Sequence, residues 1–435
     1  MLASIATPLC LLALLTPRVR SSQTLLHTAR AATSPISVNL NGVTYVNKGL
    51  VGFGLIPSDF RESTGDTLGG IGSGIDLKVG TWKRTSADTY TGTFIVTPDR
   101  GYNVETTVDY QSRQHEIDFA FTPYYGSAKL SFSAAQKTLA LTYKKTVLGF
   151  ERNNTKTSGL DATGVRAAQN GFPQTVSADP QLPIASELYP HLSLDVEGII
   201  ANNDGSDEYG PYIYRFTSDG KLIQTIQPPN AFLPRDASGA LYFTSETNPA
   251  TGRAGNKGFE GLTLDRVNNV IYAILQTATI QDGGGDKTTA RYTRLVAYDV
   301  SNPSVRPPLV GEWVVPLPLS SKGKAQSCSE IQFVSPGVFL ALSRDGDGRG
   351  GDDNNTKYKQ ADLFSITGAT DIHGTKYDDP ANPVAPDGKL VSSITPATYV
   401  PFVDYVESTG LARFGLHNGK SFRSFRQALE LIMWV

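Results

Sequence analysis

The sequence predicts an all-β protein, specifically a β-propeller, and three observations carry that expectation. Short segments of apolar–polar alternation recur along most of the chain. Helical periodicity is nearly absent before residue 420. A strand-opening unit that contains a glutamate returns at a spacing of about 65 residues.

The chain has 435 residues, with 42 glycines and 26 prolines. That punctuation suits many turns and argues against a helical bundle or coiled coil. Charged residues are 18% and hydrophobic ones 39%, a balance that excludes extended disorder and a membrane-embedded body. The net charge of −2 lacks the basic excess of a nucleic-acid binder.

Residues 1–31 read as a signal peptide. The apolar run from Leu2 to Leu15 has the length of a signal core and is too short to span a bilayer. Small residues at Ala29 and Ala31 offer a cleavage site, so the expected protein is secreted. With Cys10 removed, Cys328 has no intramolecular partner and reads as a buried small hydrophobe. The sequons at Asn153 and Asn354 mark two candidate glycosylation sites.

In the body, 32–419, strands are expected at TFIVTP (93–98), HEIDFAF (115–121), KLSFS (129–133), PYIYRF (211–216) and ALYFTSE (240–246). Others are EGLTLD (260–265), VIYAIL (270–275), RLVAYDV (294–300), GEWVVPL (311–317), VFLALS (338–343) and DLFSIT (362–367). Asn268-Asn269 is the expected turn between EGLTLD and VIYAIL. The repeat places Glu197, Glu260 and Glu330 at matching points of successive units, and GGIGSGIDL near Gly74 opens an earlier one. At this spacing the body holds six units, so six blades are expected, the C-terminal one incomplete.

The runs SDEYGPYIYRFTSDGKL, GRAGNKGFEGLTLD and CSEIQFVSPGVFLALSRDGDG resemble the phytase-like domain of secreted proteins, the "esterase-like activity of phytase" family, over roughly residues 50–419. The resemblance implies a propeller-like domain and a phosphoesterase activity. The chain departs from the family pattern twice. A strand is missing near 203–206, and residues 420–435 form an atypical tail whose Phe422, Phe425, Leu429 and Ile432 make a helical stripe. That tail is expected to lie on the surface as a poorly packed helix beside an open blade.

Several chemistries lack their signatures. No G-x-S-x-G or H-E-x-x-H motif occurs. Gly346, Gly348 and Gly351 fit G-x-G-x-x-G, but the aspartates around them would repel a pyrophosphate. What remains is acidic. Glu197, Glu260 and Glu330, each opening an inner strand, would converge on the channel and repel one another unless a hard cation such as Ca²⁺ neutralised them. Asp207, Glu208 and Asp345 are candidate further ligands, while Arg344, Lys257, Arg253 and Arg100 are candidates to hold a phosphate. Equally open is a structural role in which each glutamate holds its own blade's backbone. The expected function is Ca²⁺-dependent hydrolysis of a small-molecule phosphate ester by a monomer that binds neither nucleic acid nor membrane. A non-catalytic propeller that binds a glycan or a protein, and a Ca²⁺-dependent lactonase or carboxyl-esterase, are the alternatives.

Overall fold

A computed structural model describes residues 37–101, 106–172, 179–201, 204–347, 355–418 and 429–434, the last stretch by its backbone. Residues 1–31, read above as a signal peptide, Asn354 and the segment 419–428 lie outside the described residues.

Alternating apolar residues and short polar turns build four four-stranded antiparallel sheets, each an up-and-down meander. Blade 1 comprises Ile71–Leu77, Tyr90–Pro98, Arg113–Phe121 and Leu139–Leu148, with a short extra strand Lys83–Arg84. Blade 2 comprises Val196–Ile200, Asp204–Asp207, Ile213–Phe216 and Leu222–Ile226. Blade 3 comprises Phe259–Asp265, Val270–Leu275, Tyr292–Asp299 and Leu309–Pro316. Blade 4 comprises Ser327–Ser335, Val338–Arg344, Lys359–Ser365 and Thr398–Asp404. The first strands of successive blades lie side by side, which is a propeller arrangement.

The expected hairpin of blade 3 forms as its turn chemistry requires. Asn269 takes a left-handed φ of 54°, and Asp265 Oδ1 accepts from the Val267 and Asn268 amides at 2.9 and 3.2 Å. Apolar side chains then pack blade on blade. Ile213 and Ile226 meet Phe259 and Ile271 between blades 2 and 3, while Tyr272 and Ile274 meet Phe339 and Phe364 between blades 3 and 4.

Four blades are found, and the expected six is not confirmed. The long repeat is taken up by excursions such as 227–258 and 366–397, in which no strand forms. Two strand candidates fail locally. In KLSFS, Ser131 caps a short helix, Phe132–Ala135, by accepting from the Ala134 amide. In ALYFTSE, the Phe243 and Thr244 carbonyls accept from the Arg253 guanidinium instead of a neighbouring strand. The strand expected to be missing near 203–206 is present but short. Asp204–Asp207 carries no apolar side chain, yet all four residues are buried. Arg215 Nε donates to Asp204 Oδ1 at 3.0 Å, and Ser206 Oγ accepts from the Gly198 amide at 2.8 Å. Internal pairing thus does there what apolar alternation does elsewhere.

The tail also departs from expectation. Leu429–Trp434 is a strand, paired antiparallel with Leu50–Ile56. Gly52 pairs with Met433 and Leu50 with Trp434, so Val51 is bulged out of register. The bulge explains a change of side-chain parity. Leu50 and Phe53 pack with Leu340 and Phe402 of blade 4, whereas Val51 and Ile56 pack with Leu77 and Phe94 of blade 1. This strand therefore bridges the first and last blades.

Candidate functional site

Each blade's first strand carries a register shift near its start, between Ile71 and Gly74, Val196 and Ile199, Phe259 and Gly261, and Cys328 and Glu330. Aligned on these shifts, Ser73, Glu197, Glu260 and Ser329 are equivalent. The next position reads Gly74, Gly198, Gly261 and Glu330. The three glycines are demanded by close approach. A Cβ on Gly74 would lie 2.6 Å from the Glu197 carbonyl oxygen, one on Gly198 2.7 Å from Leu262 Cβ, and one on Gly261 2.7 Å from the Ile331 nitrogen.

Bulges re-aim side chains, and here they gather acids. One oxygen each of Asp99, Asp195 and Glu197 lie within 4.8 Å of one another. Ser73 donates its hydroxyl to Glu197 Oε2. Gln276 Nε2 donates to Glu208 Oε1 at 3.0 Å and also to Glu260 Oε1. Arg344 Nη2 stands 3.9 Å from Glu260 Oε1, and its Nε donates to Ser329 Oγ at 2.7 Å.

Glu197, Glu208 and Glu260 are each only 2% exposed, so water screens them little. Burial, reinforced by Asp99, Glu260, Asp195 and Glu208, pushes the Glu197 carboxyl well up. Burial and the charges of Glu260, Asp195 and Asp99 do the same to Glu208. Burial raises Glu260 to about 7, opposed by Arg344 and by the Gln276 hydrogen bond. Burial alone would lower Arg344, but Glu260, Glu197, Glu208 and Asp99 outweigh it and raise its pKa. Four carboxyl groups, Asp99, Glu197, Glu208 and Glu260, act on the Arg344 guanidinium, and with Asp195 beside them the group must share protons or take up a cation. The oxygen donors of Asp99, Asp195 and Glu197 fit a hard divalent ion such as Ca²⁺.

Of the residues singled out from sequence, Glu197, Glu208, Glu260 and Arg344 come together here. Lys257 is half-buried and stands near Glu208; burial and the neighbouring Lys287 lower its pKa. The others are elsewhere. Glu330 is displaced by one position from Glu197 and Glu260, and its Oε1 accepts from the Leu262 and Ile331 amides at 3.0 and 2.8 Å. It latches two first strands together. Asp207 accepts from the amides of Asp195, Tyr209 and Gly210 at 2.9, 3.2 and 2.9 Å, and so shapes its own turn. Asp345 likewise binds Thr356 Oγ1 and the Lys357 and Tyr358 amides at 2.8, 2.6 and 3.1 Å. Arg253 is fully buried against the carbonyls of Tyr209, Phe243 and Thr244, with no face left for a substrate.

Arg100 lies to one side, its Nη1 donating to the Gly69 carbonyl at 3.2 Å. Asn153 is exposed in a left-handed turn, φ 59°. Cys328 is buried and unbridged, its thiol pushed far up by burial. Sequence reasoning missed Asp99, Asp195, Gln276 and Ser73. Two of them had a signal: Asp99 immediately precedes Arg100, and Asp195 is two residues before Glu197, hence on the same face of an extended chain.

Comparison with known proteins agrees with this picture at the level of family. An uncharacterized secreted protein of Arthroderma benhamiae is 36% identical, the match covering 86% of this chain and 79% of that protein. The crystal structure of Saccharomyces cerevisiae Sqt1 aligns with 86% of this chain and 100% of its own at 8% identity, with a TM-score of 0.23. Among the described residues no helix is long and apolar enough to cross a membrane. Residues 79–413 match the family described as "Esterase-like activity of phytase", and the chain belongs to that phytase-like family.

Proposed function

We propose that the protein is a secreted, metal-dependent hydrolase of phosphate esters, with Ca²⁺ held by Asp99, Asp195 and Glu197. The observation that carries this reading is the gathering of Asp99, Asp195, Glu197, Glu208 and Glu260, all but the half-buried Asp99 buried, with Arg344 beside Glu260. A bound divalent cation supplies charge stabilisation to a phosphoryl oxygen and lowers the pKa of a bound water. The chain's own residues do the rest. Glu260, with its pKa near neutrality, accepts or returns a proton, and Gln276 fixes it beside Glu208. Arg344 and Lys257 offer positive charge to the ester's oxygens.

Secretion is supported by the leader-like residues 1–31 and by the secreted relative. The exposed turn at Asn153 suits a glycan. A lactone or carboxyl ester would engage the same cation; phosphate is preferred because more than one cationic side chain borders the site. The test is release of inorganic phosphate from phytate and 4-nitrophenyl phosphate, with Ca²⁺ and with chelator. Chelator-sensitive release that is lost in Asp99→Asn and Glu197→Gln supports the reading. Absence of such turnover over a broad ester panel refutes it.

A further inference from the structure

Blade 3 ends in the strand Leu309–Pro316, and the outer edge of that strand is covered. The excursion 366–397 runs along it, with the Ile372 and Ala397 amides donating to the Glu312 and Val314 carbonyls, both at 2.8 Å. Ile372, Val384, Ala385 and Ile394 pack against Val314 beneath. Such a cover shields the backbone groups of an edge strand from pairing with another chain.

Under the cover lies a group of charges far from the acidic site. Arg294, Asp282 and Glu312 are all fully buried. Arg294 Nε donates to Asp282 Oδ2 at 2.8 Å, and its Nη1 donates to Glu312 Oε1 at 3.0 Å and to the Tyr377 carbonyl at 2.8 Å. Asp282 Oδ1 accepts from the Val384 and Ala385 amides at 2.7 and 3.4 Å. One guanidinium balances one carboxylate, so with Asp282 ionised Glu312 is a surplus buried acid.

The second oxygen of Glu312 shows how that surplus is settled. Glu312 Oε2 and Asp378 Oδ1 are closed off from solvent, and neither has a donor among the described residues. The two carboxyl groups nonetheless lie within hydrogen-bond reach of each other. Carboxyl groups meet in this way when one of them keeps a proton. Asp378 also ties the excursion to its neighbours, since its Oδ2 accepts from the Gly374 amide at 3.1 Å and its carbonyl from the Ala231 amide at 2.8 Å.

Burial, with Asp378 and Asp282 nearby, pushes the Glu312 carboxyl up to about 7 against the pull of Arg294. Burial raises Asp378 too. The other ionisable groups on this side are Tyr298, Arg306 and Asp371. Burial pushes the Tyr298 phenol up, opposed by Arg306, so it stays neutral. Asp371 Oδ1 accepts from the Glu312 amide and pairs with the exposed His373.

We infer that Glu312 and Asp378 form a pH-sensitive latch, which fastens the excursion 366–397 over the edge of blade 3 while the pair shares a proton and releases it when that proton is lost. The latch is at full strength below the carboxyl's value in the opened chain, about 4.3, and is lost as pH rises through about 7.

The test is amide exchange of the full-length chain, read by mass spectrometry at pH 5, 6, 7 and 8 and corrected for the intrinsic pH dependence of exchange. Opening of 370–388 should grow by up to about tenfold per pH unit between pH 5 and 7 and then level off, exceeding the opening of Val270–Leu275 in the core of blade 3. Glu312→Gln keeps an acceptor for Arg294 and a permanent donor for Asp378, so opening should stay low and flat. Asp378→Asn supplies the donor from the other side and should flatten the rise as well, which keeps the test available if one variant fails to fold. His373→Gln should behave as the wild type. An unaltered rise in Glu312→Gln or Asp378→Asn overturns the inference, as does a rise that His373→Gln abolishes. A rise no steeper than that of Val270–Leu275 would mean that the whole chain opens, and overturns it too.

Discussion

Glu330 occupies in blade 4 the position that Gly261 holds in blade 3. Where the glycine lets two first strands touch, the glutamate reaches back and accepts from the Leu262 amide. One position carries two solutions to the same packing problem. Glu330 is half-buried with its Oε2 closed off from solvent, and its carboxyl is pushed well up, chiefly by burial, so it is best accommodated with a proton.

Glu330→Gln should therefore be nearly neutral for stability, because the amide oxygen can still accept from Leu262 and Ile331. Glu330→Ala strands those two amides and should cost about 2–4 kcal/mol. Chemical denaturation of both variants checks this. Equal loss in the two would show that the carboxylate charge, not the acceptor, matters.

Gly261→Ala places a methyl group against the Ile331 backbone nitrogen of the adjoining blade, and neither backbone can yield without shifting a sheet. A destabilisation of about 3 kcal/mol is expected. Gly80, whose Cβ direction is open but whose φ is +76°, should lose less on the same substitution. Thermal unfolding of the pair measures the difference, and equal losses would contradict the close-approach account.

The carboxylate cluster fixes a pH dependence. Glu197, Glu208 and Glu260 have folded-state pKa values above the unfolded value of about 4.3, that of Glu260 reaching about 7. The folded chain then binds more protons than the unfolded one. Stability is fully present below the unfolded pKa and is lost as pH rises through neutrality. Metal-free protein should thus unfold more easily at pH 8 than at pH 6. Glu260→Gln should flatten that slope, and an unaltered slope would argue against the cluster's strain.

Removing residues 429–435 should leave Leu50–Ile56 without its paired strand and lower the unfolding temperature. The freed edge should also promote self-association, which sedimentation would detect. Unchanged stability of the shortened chain would mean that the pairing contributes nothing.

The propeller class was legible because apolar alternation in strands such as Val270–Leu275 is a local signal. Asp204–Asp207 was not, since its burial depends on partners such as Arg215 that alternation does not report. The tail misled for a related reason. Leu429 and Ile432 fit a helical stripe, but Leu50–Ile56, distant in sequence, recruits Leu429–Trp434 as a strand. At the site, Glu197 and Glu260 were found through the repeat, while Glu330 was matched one residue out of step. Aligning apolar partners, Leu262 with Ile331, would have set Ser329 against Glu260. Asp99 and Asp195 do not recur in every blade, so no repeat could reveal them.

The central claim is that Asp99, Asp195 and Glu197 hold a divalent cation, and Ca²⁺ titration of the metal-free chain followed by thermal unfolding tests it most directly. The wild-type chain should gain stability with Ca²⁺. Glu197→Gln should be at least as stable as wild type without metal, having lost a buried repulsion, and should gain nothing from Ca²⁺. A Ca²⁺-induced gain undiminished in Glu197→Gln and Asp99→Asn, or no gain in the wild type at millimolar Ca²⁺, would contradict the account.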